Sequence, residues 1–169
     1  MKKMDLPVEM VGPYRRISCE AIDKIIVNQE CVELIKEMRA AGSKIAICTG
    51  KDHYRTEQIL EYYGIADLFN ALVSSDDVSE PKPSAIPIMK AVEELGVERD
   101  TCIVIGDGYN DILSARNAGV PVILTLWYGD VGVPRAADFT VKSVKELEEV
   151  LKAQYPFIQL TLHTSQQTK

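Results

Sequence analysis

The chain has 169 residues, 46% of them apolar, and a formal net charge of −6. Such a length and apolar share suit one domain with a real core, while the acidic balance and the lack of a basic cluster argue against nucleic acid as a partner. No apolar run approaches the ~18–20 residues that cross a bilayer. Met1-Lys2-Lys3-Met4-Asp5 also lacks the apolar core of a signal peptide. The composition therefore reads as a cytoplasmic protein with no membrane partner.

From residue 29 onward, helical and strand patterns alternate. Gln29–Ala41 carries Val32, Ile35 and Met38 at helical spacing, with Asn28 as N-cap and Gly42 as stop. Lys44–Cys48 reads as a short buried strand and Tyr54–Tyr63 as a helix stopped by Gly64. Ala71–Val73 is a brief strand. Ser84–Leu95 is a helix capped by Ser84 and stopped by Gly96, and Thr101–Ile105 is a strand. Asn110–Ala118 is a helix, Val120–Thr125 a strand and Ser143–Ala153 a last helix, where Ser143 and Glu146 have capping-box spacing. Alternation of this kind predicts an α/β fold, a mainly parallel sheet flanked by helices on both faces. Residues 1–27 stand outside the rhythm as a leader, 28–153 form the core domain, and 154–169 are a polar tail with Phe157–Leu162 as an extended candidate. Cys19, Cys31, Cys48 and Cys102 show no C-x-x-C pairing, and the thiols in apolar strands read as buried and free.

Chemistry gathers where strands end. Ile103-Val104-Ile105-Gly106-Asp107-Gly108-Tyr109-Asn110-Asp111 runs from a buried strand through a tight turn into a helix. This places Asp107 at the carboxyl end of the strand and Asp111 in the first helical turn. Open α/β sheets bind ligands at that edge, and two carboxylates suit Mg²⁺, an oxygen-seeking cation that keeps some of its waters. The plainer reading is a helix cap and a charge that favours the helix dipole. Cys48-Thr49-Gly50 also ends a strand, where a hydroxyl and backbone N–H groups suit a phosphate, or where Thr49 simply caps a turn. In Glu80-Pro81-Lys82-Pro83-Ser84 two prolines stiffen the backbone around one Lys, which would neutralise a phosphoryl oxygen or be an ordinary loop Lys.

Taken together, the strand ending in Thr49, Lys82 between prolines and Gly106-Asp107-x-x-x-Asp111 resemble the haloacid dehalogenase superfamily. The match is nearest its phosphoglycolate-phosphatase and β-phosphoglucomutase-like branch, and covers about residues 28–153. The resemblance implies a Rossmann-like core and a Mg²⁺-dependent phosphatase acting on a small phosphorylated substrate. It implies that Thr49 and the Gly50 amide bind the phosphoryl group, that Lys82 offsets its charge, and that Asp107 and Asp111 hold Mg²⁺. Thr49 and Lys82 would be the catalytic residues visible in the chain. Such roles match phosphoryl transfer, which needs charge neutralisation and in-line geometry above all.

The family's first motif, an apolar strand followed by D-x-D, supplies the nucleophile. No Asp of this chain stands in that pattern; Asp76 and Asp77 are adjacent, and Asp5 and Asp23 stand alone. Thr49 lies 48 residues after the first residue, which in the nearest relatives falls inside a helical cap, so the expectation is a chain lacking the family's N-terminal portion and most of the cap, with 1–27 as a cap remnant. Lys24–Glu30 offers a substitute, a strand ending in N-x-E; the other reading is a linker into the Gln29 helix. Asn28 would not form an acyl phosphate. Loss of the family's central strand would leave two buried edges unpaired, filled by Lys24–Val27, by Phe157–Leu162, by a partner chain or by rearrangement. Reduced stability, self-association or a complementing chain is therefore expected. A non-catalytic phosphate- or partner-binding protein, or one piece of a larger phosphatase, is the alternative. Lys51, Asp52, His53 and Arg55 read as a solvated helix start, Asp76 and Asp77 as loop solvation, and Trp127-Tyr128-Gly129-Asp130 as a wall of the site or, the plainer reading, aromatic packing under a loop.

Overall fold

In a computed structural model of the chain, residues 21–127, 136–156 and 158 are described, and their sheet is laid down in two pieces. Strand β1 (Ala46–Cys48) pairs with β2 (Ala71–Val73). Strands β3 (Val104–Gly106), β4 (Val122–Thr125) and β5 (Phe139–Val141) make the second piece, in that order. Every pairing is parallel. The helices are α1 (Gln29–Ala40), α2 (His53–Tyr62), α3 (Ile86–Leu95), α4 (Tyr109–Ala118) and α5 (Val144–Gln154). This is the expected α/β architecture. Among the described residues β5 is the strand the pattern missed, because Phe139-Thr140-Val141 is too short to show periodicity.

Local chemistry sets the helix ends. Asn28 Oδ1 accepts from the Cys31 N–H at 3.0 Å, and Asp52 Oδ1 from that of Arg55 at 3.0 Å. Ser143 Oγ accepts from the Glu146 N–H at 3.1 Å, but the Glu146 carboxylate reaches back to the Lys142 N–H rather than closing a capping box. Ser84 is not the N-cap of α3; Ala85 is, and Ser84 Oγ accepts from the Ile86 N–H. Helices α3 and α4 both end on a left-handed glycine, Gly96 (φ 59°) and Gly119 (φ 67°).

The core has two faces. On one, α1 and α5 enclose Leu34, Met38, Ile123, Val141, Leu147 and Leu151, with Ile45 and Ile103 packed against them. On the other, Ile112 and Ala115 of α4 meet Val122 and Leu124, while Ile88 of α3 and Ala118 of α4 cover Val120, Cys48 and Val104. All four residues of β4 are buried and alternate between the faces, as a strand covered on both sides requires. Helix α1 touches both α5 and the 3₁₀ turn Ala66–Leu68 that leads to β2. Helix α3 touches β1 and β2 and also packs on α4, which covers β3 and β4. Helices thus span both half-sheets on both faces, although no strand joins them among the described residues.

Each outer strand is entered through the same device. Before β2, the Asn70 N–H donates to the Ile45 carbonyl (2.7 Å) and Asn70 Oδ1 accepts from the Ile45 N–H (2.9 Å), with Arg39 on the same oxygen (2.7 Å). Before β5, the Asp138 N–H donates to the Val122 carbonyl (2.9 Å) and Asp138 Oδ2 accepts from the Val122 N–H (2.8 Å), with Arg116 on the other oxygen (3.1 Å).

The segment Lys24–Val27 does not supply a central strand. Ile22–Lys24 is a 3₁₀ turn, the residues after it are extended coil, and Ile26 is 88% exposed. The Tyr63 hydroxyl donates between the carbonyls of Ile22 and Ile25, which ties this coil to the end of α2. Asn28 is spent on capping α1, so the linker reading is the one observed. Of the other candidate, Phe157–Leu162, only Ile158 is described, and Tyr128-Gly129-Asp130 lies outside the described residues. No described helix is long and apolar enough to cross a membrane.

Candidate functional site at the carboxyl edge

The site is built where β1 and β3 end. Beyond β1, the Thr49 N–H still pairs with the Val73 carbonyl (2.9 Å). Thr49 Oγ1 accepts from the Lys51 N–H at 3.1 Å, so Thr49 does cap a turn, and its own O–H remains a donor. Gly50 is exposed at the tip of that turn, with nothing within 4 Å of where a Cβ would stand.

Lys82 comes from the opposite wall. Its loop, with a cis Lys82–Pro83 bond, is clamped by α4: Ser114 Oγ donates to the Ser84 carbonyl (2.6 Å) and Asn117 Nδ2 to the Pro83 carbonyl (2.9 Å). The ammonium reaches the Cys48 carbonyl at 3.0 Å and Asp111 Oδ1 at 2.5 Å. Both charged side chains are largely shielded, at 17% and 15% exposure. Lys82 is therefore a fixed cation linking the end of β1 to the start of α4, not a mobile loop lysine.

Asp111 is placed by backbone. Its Oδ2 accepts from the Gly108 N–H (3.1 Å), which makes Gly108 the N-cap and leaves Asp107 outside that role. The carboxylate lies directly over Gly106, where a Cβ would stand 2.4 Å from the Asp111 Cβ. Only glycine ends β3 in this way. Asp107 itself is exposed, with no hydrogen bond or ion pair to the described residues.

The turn after β1 is bound to the loop after β2. The Ser75 N–H donates to the Lys51 carbonyl (3.1 Å), and the His53 N–H to Asp76 Oδ1 (2.8 Å). His53 Nδ1 meets Asp77 Oδ2 at 2.8 Å, which also accepts from the Ser74 N–H at 2.7 Å. Asp76 and Asp77 thus brace the loops rather than serving only as loop solvation, and His53 is more than a solvated helix start. The hydrogen bond that the His53 ring donates to Asp77 raises the His53 pKa. Burial pushes the Asp77 carboxyl up, but the His53 and Ser74 hydrogen bonds outweigh it and the net shift is down. Cys48, beside the site, has its thiol pushed up to about 11, chiefly by burial with Lys82 opposing, which keeps it an inert thiol.

Lys82 and Asp111 are thus in direct contact, and Thr49 joins them through its neighbour's carbonyl. The clamps from Ser114 and Asn117 and the contact at Gly106 were not read from sequence; of these only Gly106, a glycine at a strand end, carries a signal there. Two carboxylates suit Mg²⁺ in kind, since that ion takes one or two together with waters and substrate oxygens. Asp107 is open to it, whereas Asp111 would have to share an oxygen with Lys82 or Gly108. Among the described residues no cluster of three or more His, Cys, Asp or Glu side chains exists to form an all-protein cage.

Residues 3–125 match the haloacid dehalogenase-like hydrolases. Pyrophosphatase PpaX of Bacillus velezensis is 32% identical over 120 residues, which is 70% of this chain and 56% of that protein. The PpaX of Halalkalibacterium halodurans is 36% identical over 113 residues, 66% of this chain and 53% of its own. A HAD phosphatase from Thermococcus onnurineus superposes with a TM-score of 0.75 at 25% identity, covering 89% of this chain and 67% of its own. The chain spans about half the length of the pyrophosphatases it matches. With the parallel half-sheets and the residues at their carboxyl edge, these matches show that the chain belongs to the haloacid dehalogenase-like hydrolase family.

Proposed function

We propose that this chain carries the phosphoryl-gripping and cation-binding part of a Mg²⁺-dependent phosphatase acting on a small organic phosphate. The observation that carries this is the Lys82 ammonium, held at 3.0 Å from the Cys48 carbonyl and 2.5 Å from Asp111 at the edge where α/β sheets bind ligands. A shielded cation of fixed position suits a dianionic phosphoryl group, because it needs little reorganisation as charge moves during transfer. The Thr49 hydroxyl and the Gly50 amide would bind phosphoryl oxygens from the β1 side. Asp107, with Asp111, would hold Mg²⁺ from the β3 side; when bound, the ion would neutralise charge on the phosphoryl oxygens. His53 and Asp77 would stiffen the loop that carries Thr49.

A second reading, phosphate binding without turnover, has one observation in its favour. Asn28 caps α1 and the chain has no D-x-D, so none of the residues assigned here is a carboxylate nucleophile. Hydrolysis of p-nitrophenyl phosphate with and without Mg²⁺, alongside Asp107→Ala, tests the first reading. Turnover that needs Mg²⁺ and is lost in the variant supports it. Phosphate protection against thermal unfolding without turnover, lost in Lys82→Met, favours the second. Neither effect would sink both.

A further inference from the structure

The His53 ring stands between two carboxylates. Nδ1 lies 2.8 Å from Asp77 Oδ2, and Nε2 lies 3.3 Å from Glu57 Oε1, one turn further along α2. An ionised carboxylate only accepts, so both contacts are hydrogen bonds only when both ring nitrogens carry a proton. The neutral ring has one N–H and turns a lone pair on the other carboxylate. Four other charged groups surround this arrangement. Asp76 Oδ1 accepts the His53 N–H (2.8 Å), Asp52 caps α2, and Lys51 lies in the turn after β1. Lys90 of α3 stands behind Asp77, with Nζ on the Asp77 carbonyl (2.8 Å). Both ring nitrogens thus meet negative charge, and the geometry is that of an imidazolium.

Asp77 carries the consequence to the site. Its Oδ2 also accepts the Ser74 N–H (2.7 Å) just beyond β2. The next residue, Ser75, grips the Lys51 carbonyl through its N–H (3.1 Å) and its hydroxyl (3.2 Å), and the Lys51 N–H donates to Thr49 Oγ1 (3.1 Å). Through Lys90, Asp77 is also tied to α3, the helix entered from the Lys82 loop. One residue therefore braces the turn that bears Thr49 and Gly50 and the helix behind Lys82.

We infer that His53 is a positioning residue: its proton and a tetrahedral dianion held by Thr49 and Lys82 bind cooperatively. This rests on the phosphoryl-gripping reading above and adds its regulation by protons. With both carboxylates satisfied, the brace is complete and less ordering remains to be done when the anion arrives. With the neutral ring, one of the two carboxylates is released and the turn loosens. The coupling is reciprocal, so an anion in the site raises the proton affinity of His53 by the factor by which the proton raises anion affinity. The sign is fixed. Affinity is high on the acid side of the His53 titration, which lies above the ordinary value of about 6.5, and falls as pH rises through it. With the ring 37% exposed, screening limits the factor to about threefold.

The probe is inorganic sulfate in Mg²⁺-containing buffer, because sulfate stays a dianion where phosphate itself titrates. Titration calorimetry on the full chain should show sulfate about threefold tighter at about pH 5.5 than at about pH 8.5, on either side of the histidine range. His53→Gln should lose that difference and bind at the weaker level throughout. In the parent, with no variant to fold, the NMR titration midpoint of the His53 ring should rise by about half a pH unit in saturating sulfate, the same threefold read from the other side. A purely structural His53 would leave that midpoint fixed, and its replacement would weaken sulfate equally at both pH values. Either result, or a pH difference that persists in His53→Gln, overturns the inference while the grip stands. Sulfate that binds at neither pH, or binds as well in Lys82→Met, overturns the phosphoryl-gripping reading and the inference with it.

Discussion

Lys82 and Asp111 meet across the carboxyl end of the gap between the half-sheets, Nζ to Oδ1 at 2.5 Å, and no other ion pair among the described residues is as well shielded on both sides. A pair in this position ties together two sheet pieces that share no backbone ladder among the described residues. Lys82→Met leaves a carboxylate with only the Gly108 N–H, and should cost about 2 kcal/mol in urea unfolding. Asp111→Asn in the same background should cost far less than it does alone. Additive losses in that double-mutant cycle would show that the two groups do not interact.

Gly106→Ala should be worse than its size implies. The added methyl would stand 2.4 Å from the Asp111 Cβ, so the carboxylate or the strand end must move. A loss of about 1–3 kcal/mol is expected, with weaker Mg²⁺ binding by titration calorimetry. Gly50→Ala, with open space around it, is the control and should unfold within about 0.5 kcal/mol of the parent.

The His53–Asp77 pair gives a signed pH dependence. His53 is raised, so its contribution is complete below the unfolded histidine value of about 6.5 and fades as pH climbs through the folded one. Asp77 is lowered, so its share is complete above the unfolded value of about 3.9 and fades as pH falls through the folded one. The pair therefore stabilises most between those limits. With the His53 side chain 37% exposed, solvent screening keeps the effect below about 1 kcal/mol. The His53 ring titration followed by NMR should have its midpoint above about 6.5 and drop in Asp77→Asn; an unchanged midpoint would contradict the assignment.

Asn28→Ala separates a cap from a reactive group. Loss of the Cys31 hydrogen bond should cost about 1 kcal/mol of stability. Phosphate affinity should stay as it was, because Asn28 is not among the site residues. A selective loss of affinity without loss of stability would revive the N-x-E motif as part of the site.

Much of this was legible in the residues. Apolar runs ending at Cys48 and Ile105, glycine stops at Gly96 and Gly119, and polar caps at Asn28 and Ser143 announce their elements because each acts locally. Strand β5 did not, since three residues carry no period and its pairing with β4 is a tertiary fact. The site was legible as a set of residue types at strand ends. Its wiring was not: that Lys82 would bind a backbone carbonyl, or that Asp111 would lie on Gly106, depends on helices distant in sequence. The Lys24–Val27 segment shows the reverse failure. Its composition fits a strand, yet the Tyr63 hydroxyl holds it elsewhere.

The paired entry devices at Asn70 and Asp138 have a mechanical consequence. Each adds a side-chain rung to the ladder just before an outer strand, so β2 cannot slide along β1, nor β5 along β4, without breaking a two-way hydrogen bond and freeing an arginine. The half-sheets should therefore behave as two stiff plates joined by helices. Their softest coordinate is the spacing between plates, and Lys82, with one contact on β1 and one on the helix that follows β3, works as a strain gauge across it: whatever wedges the plates apart or draws them together is felt first at the ammonium beside Thr49.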